Sequence, residues 1–242
     1  MDLKEKIVLV TGASSGIGRA IAALLAQHGA TVIFTYNSNS LGASETLKLL
    51  GAKGAKYKVE LQKEDEIQNL FSNIKTNYGK LDVLVNNAGI NRPRGLFDSN
   101  DWKELFQVDL FSVVLCTGLA VDLMTSGGKI LNITSVYGDG KVCDKGLAPY
   151  GAAKAALNHY TQTLAKNLAP GILVNAIAPG YVRTPLWGNK SEADFAQNGM
   201  DQLIQRMIEP EEIARMAVTI LTNDAMTGEI VMVDGGISLK TL

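Results

Sequence analysis

The sequence predicts an α/β fold, a parallel β-sheet covered by helices on both faces. Three observations carry that expectation. Short β-branched runs alternate with longer amphipathic stretches along the chain, the pattern produced by strand–helix–strand crossovers. The length, 242 residues, suits one α/β domain better than two small ones. Hydrophobic residues at 46% against 19% charged supply apolar surface for a full core.

Ile7-Val8-Leu9-Val10 is a continuous apolar run, as expected of a strand buried on both faces. Residues 16–28 follow as a helix that stops near His28-Gly29. Then come a strand from Thr31 to Tyr36, a helix over 40–51, a strand over 55–60, a helix over 64–78 and a strand from Asp82 to Asn86. The second half reads as a long helix over about 101–124, a strand at 129–134, a helix at 149–168 and a strand at 172–178. Residues 186–208, rich in polar side chains, are expected to be a lid that moves when the site is empty. A helix near 210–222 and a strand at 229–233 complete the chain. No linker or low-complexity tract divides it, so 1–242 is read as one domain.

Charge and cysteine content narrow the function. With 23 Lys+Arg against 24 Asp+Glu there is no basic excess to neutralise nucleic-acid phosphates or an acidic membrane. Cys116 and Cys143 alone cannot build a disulfide framework or a four-ligand zinc site, and no metal is expected. No segment reaches the roughly 18 uninterrupted apolar residues of a membrane span. A soluble, cytoplasmic protein is therefore expected.

After the first strand comes Thr11-Gly12-Ala13-Ser14-Ser15-Gly16-Ile17-Gly18-Arg19. Small residues here let the backbone approach a pyrophosphate, and the following helix offers unpaired N–H groups and a positive dipole end. Gly12, Ser14, Ser15, Gly16, Ile17 and Gly18 are therefore candidate dinucleotide-binding residues. Their Gly-x-x-x-Gly-x-Gly spacing differs from the commoner Gly-x-Gly-x-x-Gly. The second strand ends Phe34-Thr35-Tyr36-Asn37-Ser38, without an acid to bind a ribose 2′-hydroxyl or repel a 2′-phosphate. Asn37 and Ser38 can donate to such a phosphate, and with Tyr36 they mark the adenosine end. NADP is the expected cofactor. With no Arg or Lys in this run, NAD stays open.

The chain has two Tyr-x-x-x-Lys spacings. Gly138-Asp139-Gly140 between Tyr137 and Lys141 will not hold a helix, so those side chains need not meet. Tyr150 and Lys154 follow Pro149, which suits a first helical position, so they share a face one turn apart. A phenol titrates near pH 10, and an ammonium group beside it favours the phenolate, bringing Tyr150 within reach of acid/base work. Strand 129–134 leads to Ser135 at the carboxyl edge of the sheet, where its hydroxyl can donate to a carbonyl oxygen. Strand four ends in Asn86-Asn87-Ala88-Gly89, small and polar enough for close ligand approach.

Together, Thr-Gly-x-x-x-Gly-x-Gly at 11–18, Asn-Asn-Ala-Gly at 86–89, Ser135, Tyr150-x-x-x-Lys154, Pro179-Gly180, Thr227-Gly228 and Val233-Asp234-Gly235-Gly236 resemble the short-chain dehydrogenase/reductase family. The likeness spans essentially the whole chain. It implies a Rossmann-type, doubly wound, seven-stranded parallel sheet and hydride transfer between a nicotinamide and a carbonyl/alcohol pair. By position, Ser135 would polarise the carbonyl and Tyr150 would give or take the proton. Lys154 would hold the nicotinamide ribose and lower the Tyr150 pKa. Asn87, Ala88 and Gly89 would line the cofactor site; Pro179, Gly180, Val182 and Thr184 would border the nicotinamide carboxamide and phosphates. Glu60 and Leu61 would flank the adenine, where the family more often begins with Asp.

Three features depart from the family pattern. Where it usually has Asn in a Val-Asn-Leu-like stretch, holding a water beside the lysine, this chain has Val108-Asp109-Leu110. A carboxylate accepts but cannot donate as an amide does. Its charge near Lys154 would partly cancel the lysine's pull on Tyr150, so Asp109 is a candidate member of the catalytic set. The loop between Ser135 and Tyr150 is about two residues longer than usual in the resembled family and places Tyr137, Cys143 and Leu147 beside the substrate. The lid is the third.

The overall pattern resembles the 3-oxoacyl-[acyl-carrier-protein] reductases most, implying an acyl thioester substrate. Their docking segments correspond to Leu123–Gly128 and Leu168–Gly171, which here lack Arg and Lys, leaving Arg92 and Arg94 as docking candidates. A small ketone, sugar or polyol remains an alternative substrate, and a catalytically silent cofactor-binding sensor or scaffold an alternative function. In helix 101–124, Phe106, Leu110, Phe111, Val113, Val114, Leu115, Leu119, Val121 and Leu123 cover more circumference than one buried face needs. The resemblance implies a homotetramer that uses this helix and the one bearing Tyr150.

Overall fold

The computed structural model describes residues 1–91 and 96–240; Arg92 and Arg94, the docking candidates, lie outside the described residues. The first half runs β1 (Ile7–Val10), α1 (Gly16–Gln27), β2 (Thr31–Tyr36), α2 (Ser40–Leu50), β3 (Gly54–Lys58), α3 (Glu64–Tyr78) and β4 (Val83–Asn86). The second runs α4 (Ser99–Phe106), α5 (Ser112–Val121), β5 (Gly128–Ile133), α6 (Ala148–Leu168), β6 (Ile172–Pro179), α7 (Glu192–Gly199), α8 (Pro210–Thr222) and β7 (Ile230–Val233). Among the described residues, seven strands form one sheet in the order β3-β2-β1-β4-β5-β6-β7, every neighbouring pair parallel. Most boundaries fall within a residue or two of the sequence reading, the range over which helix and strand ends fray.

Alternate strand residues feed two cores. Val8, Val10, Phe34, Val83 and Val85 pack with Ile21 and Leu25 of α1 and Ile213 and Leu221 of α8. Leu9, Ile33, Leu84 and Ile130 pack with Leu70, Phe71 and Ile74 of α3, Cys116 and Ala120 of α5 and Ala165 of α6. Each fully buried Leu, Ile, Val or Phe contributes about 1.5–3 kcal/mol. The continuous apolar character of β1 is thus explained by burial on both faces, Val8 to Val10 all being 0% exposed.

The long helix expected over 101–124 is two helices joined by a π-helical turn, Gln107–Phe111. Val108, Leu110 and Phe111 continue the apolar spacing of the flanking helices through it, so periodicity gives no sign of the widened turn. Asp109 sits inside that turn and is fully buried. By length and mean composition the stretch Ser99–Val121 is long and apolar enough to cross a membrane, although polar residues such as Glu104, Gln107 and Asp109 interrupt it, so it holds no 18 uninterrupted apolar residues. Here it packs into the second core and against α3 and α6.

Successive strands lie to opposite sides of the β1–β4 boundary, so the loops leaving these two strands diverge and open a crevice at the carboxyl edge. Across it lies segment 186–208. It contains α7, capped by a reciprocal Ser191–Asp194 box, and is tied down at its beginning by an Arg183–Glu192 ion pair. At its other end Arg206 makes two hydrogen bonds to Glu212 of α8, at 2.6 and 2.8 Å.

Candidate active site

The crevice is a cavity of about 760 Å³. At one end the β1–α1 loop meets the β4 loop. Thr11 Oγ1 accepts from the backbone N–H groups of Asn87 and Ala88, both at 3.0 Å. Asn87 Nδ2 donates to the carbonyls of Thr11 (2.9 Å) and Gly12 (3.0 Å). Gly12 has φ +67°, and a Cβ there would stand 2.8 Å from Ala88. Only glycine lets the two loops approach this closely while leaving the α1 N-terminus open to an anion.

Ser14, Ser15, Gly16, Ile17 and Gly18 line this end, as do Ala88 and Gly89. Tyr36, Asn37 and Ser38 line its far corner, with no acid among them. Asn39 is occupied as the α2 cap, its side chain accepting from Gly42 N–H at 2.9 Å, which leaves Asn37 and Ser38 as the polar pair at the corner. A close-approach glycine loop, a free helix start and an acid-free ribose corner fit a phosphorylated dinucleotide. One expected residue is misplaced. Glu60 lies outside the cleft, its carboxylate 2.6 Å from Lys63 Nζ, and Val59, Leu61 and Gln62 line the wall instead. The alternation of a chain leaving β3 turns Glu60 the other way.

Sequence reading also missed a cation. Lys58 pairs in register with Tyr36 across β2 and β3 and shares a second groove with Asn37. The signal is the parallel register, which sequence spacing does not supply.

At the inner end, β5 and α6 bring Ser135, Tyr150 and Lys154 to the same cavity, with Asp109 behind them. A buried polar chain sets α6 against the sheet. Asn86 Nδ2 donates to Asn132 Oδ1 (2.9 Å), Asn132 Nδ2 donates to Thr161 Oγ1 (2.9 Å), and Thr161 Oγ1 donates to the Leu157 carbonyl (2.8 Å). Ser135 Oγ accepts from Tyr137 N–H at 3.3 Å, and its hydroxyl also interacts with the Tyr150 phenol. Lys154 Nζ donates to the Ile133 carbonyl at 3.2 Å and lies 5.6 Å from the Tyr150 ring centroid.

The Asp109 carboxylate meets Lys154 Nζ at 3.1 Å, with both side chains buried, and its Oδ1 accepts from Ile90 N–H at 2.9 Å. Gly89 makes room for it: a Cβ there would stand 2.8 Å from Asp109 Oδ2. Burial pushes the Asp109 carboxyl up, while Lys154 and the Ile90 N–H pull it down. Burial works against the Lys154 charge, but Asp109 and Tyr150 outweigh it and hold its pKa above the usual lysine value. Burial also pushes the Tyr150 phenol up; Lys154 opposes that, Asp109 adds to it, and Ser135 pulls it down. A lysine kept charged beside a phenol kept protonated can present a proton to an oxygen held by Ser135.

Pro179, Gly180, Val182 and Thr184 line the opposite wall. Of the enlarged loop, Tyr137 and Leu147 line the cleft. Cys143 is not in that lining; it is exposed, with its thiol on the Gly140 carbonyl at 3.3 Å. Tyr137 and Lys141 do not meet, because Lys141 pairs with Asp139. Instead the Tyr137 ring stacks on Tyr181 and lies edge-on to Tyr150. Tyr181 and Trp187, which the sequence reading did not single out, complete an aromatic wall.

Comparison with known proteins finds relatives over nearly the whole chain. Residues 12–238 match a family model described as enoyl-(acyl carrier protein) reductase. The chain is 37% identical to 3-oxoacyl-[acyl-carrier-protein] reductase FabG of Aquifex aeolicus (strain VF5) over 98% of each chain. It is 36% identical to cis-4-hydroxycyclohexanecarboxylate dehydrogenase of Sinomonas cyclohexanicum over 96% of each. A short chain dehydrogenase from Burkholderia cenocepacia J2315, solved in complex with NADP, superposes with a TM-score of 0.90 at 31% identity, covering 98% of this chain and 99% of that one.

Proposed function

This chain belongs to the short-chain dehydrogenase/reductase family, and on that premise we propose that it is an NADP-dependent reductase of 3-oxoacyl thioesters. At the coarser level it is an NAD(P)-dependent oxidoreductase acting on CH–OH/C=O groups. The observation that carries the reading is the convergence of Ser135, Tyr150 and Lys154 at the inner end of one cleft, with Asp109 paired to the lysine.

When bound, the nicotinamide dinucleotide supplies or accepts the hydride. Ser135 donates to the substrate carbonyl oxygen, and Tyr150 delivers the proton to that oxygen as it gains charge. Lys154, kept protonated by Asp109, holds the nicotinamide ribose and stabilises the phenolate that Tyr150 leaves behind. Gly12 through Gly18, with Asn87, Ala88 and Gly89, hold the pyrophosphate side. Asn37, Ser38 and Lys58 favour a 2′-phosphate, and the NADP-bound relative supports that choice. The thioester, rather than a carrier protein, is what this site is read to recognise, because segments 123–128 and 168–171 offer no docking cation.

A second reading, a dehydrogenase of cyclic or polyhydroxy alcohols, is favoured by the aromatic wall of Tyr137, Tyr181 and Trp187 and by the Sinomonas relative. At the end of the π-helical turn and on α5, Phe111 is 52% and Val114 41% exposed, and we read this apolar face as the contact between copies in a homotetramer. The same reading makes 1–242 a single cytoplasmic domain with 186–208 as its lid.

Oxidation of NADPH and of NADH with acetoacetyl-coenzyme A, measured separately, tests the proposal. Turnover with NADPH well above that with NADH is expected. Turnover only with cyclic ketones or sugars would move the assignment to the second reading.

A further inference from the structure

The cleft holds a second pair of hydroxyls that the proposed reaction leaves unused. The phenol oxygens of Tyr137 and Tyr181 lie 3.0 Å apart, brought together from positions 44 residues apart in sequence. Both residues line the cleft, and the Tyr137 ring centroid is 6.2 Å from that of Tyr150. One small molecule can therefore touch both the proton donor and this pair.

The pair is held firmly. Gln202, 1% exposed, accepts from Tyr181 N–H at 3.0 Å and donates to the Tyr181 carbonyl at 3.2 Å. Trp187 lies edge-on to the Tyr181 ring, centroids 5.2 Å apart, and its Nε1 donates to the Val182 carbonyl at 2.8 Å. Tyr137 follows directly from the Ser135 turn through its own N–H. Fixing two phenols this way removes much of the ordering cost of using them as recognition groups.

Two phenols carry two hydroxyl hydrogens, and the bond between them uses one. The other is left to donate into the cleft. Burial and the neighbouring Tyr181 push the Tyr137 pKa well up, so the Tyr137 hydroxyl keeps its proton. A donor in a half-buried aromatic wall rewards a ligand that offers an oxygen and penalises one that does not.

We propose that Tyr137 and Tyr181 form a specificity site that donates one hydrogen bond to a second oxygen of the substrate, a carbonyl or hydroxyl close to the carbonyl being reduced. This rests on the reductase reading and deepens it. A 3-oxoacyl thioester carries that second oxygen on its thioester carbonyl, whereas a simple ketone carries none.

The test compares ethyl acetoacetate with 2-heptanone, a chain of equal length without the ester oxygens. In Tyr137→Phe/Tyr181→Phe the ratio of the two kcat/KM values should fall about three- to tenfold, the weight of one neutral hydrogen bond, with the loss carried by KM. An unchanged ratio overturns the proposal. The two single variants locate the outward donor, since the larger fall marks the phenol facing the substrate.

A second readout needs no turnover. Trp102→Phe leaves Trp187 as the single tryptophan of the chain's two, and ligands seated on the wall should quench it. Ethyl acetoacetate should do so at about three- to tenfold lower concentration before removal of the two hydroxyls than after. Equal quenching midpoints contradict the proposal. Hydroxyl-dependent quenching without turnover would keep the phenol pair and remove the reductase reading; turnover with no hydroxyl dependence in either assay would do the reverse.

Discussion

At the end of the cleft proposed for the nucleotide the walls are backbone and small side chains, Gly12, Ser14, Ala88 and Gly89, whereas the end proposed for the substrate is walled by Tyr137, Tyr181 and Trp187. The first end is shaped for close approach and rigid phosphate contact. The second is shaped by large rings whose hydroxyls and edges can discriminate one ligand from another. A family that keeps one cofactor chemistry while varying substrates needs this division. The inner residues, Ser135, Tyr150, Lys154 and Asp109, sit where the two ends meet.

The largest effects are expected at that junction. Ser135→Ala should lower kcat by about 10²–10³, because a donor aimed at a developing oxyanion is worth that much. Steady-state kinetics with the best carbonyl substrate checks it, and a loss confined to KM would reassign the serine to binding. Next comes stability. Asp109→Ala strands Lys154 in the interior without its partner and should cost about 3–5 kcal/mol in denaturant unfolding. A loss below about 1 kcal/mol would mean that water reaches the lysine in solution.

Asp109→Asn separates charge from shape. The carboxylate raises the Tyr150 phenol, so its removal lowers that pKa. The limb of the pH–rate profile set by Tyr150 should then move to lower pH, most visibly in alcohol oxidation, where the phenolate must accept the proton. Superimposable profiles would deny Asp109 any electrostatic part. Smallest is the effect at the adenosine corner. Lys58 is exposed, and an exposed ion pair is worth about 0.2–1 kcal/mol. Lys58→Ala should therefore weaken NADP binding about two- to fivefold while leaving NAD binding alone, as titration calorimetry would read.

The two ends also differ in how far the sequence reveals them. Gly12 to Gly18 is legible because a strand, a tight turn and a helix start are neighbours in sequence, and small residues there have a local cause. Tyr150 and Lys154 are legible because a helix puts residues four apart on one face. Of the aromatic wall only Tyr137 is legible, from the enlarged loop; its pairing with Tyr181, 44 residues away, arises only once the sheet is built. Lys58 is hidden for the same reason, its place beside Tyr36 being a matter of strand register. Asp109 is intermediate. Its departure from the family pattern is visible as a letter, but the π-helical turn that buries it leaves no mark in Gln107-Val108-Asp109-Leu110-Phe111, whose mix of apolar and polar residues reads like any other helical turn. Glu60 fails because the chain turns its side chain outward to Lys63 one residue beyond Val59.

Tyr150→Phe separates proton-coupled hydride chemistry in this cleft from mere retention of a dinucleotide. NADPH binding, followed by nucleotide fluorescence, should stay within a few-fold of the parent protein while turnover falls at least about 10²–10⁴-fold. Retention of turnover by this variant would mean that the proton reaches the substrate oxygen from a group other than the Tyr150 phenol.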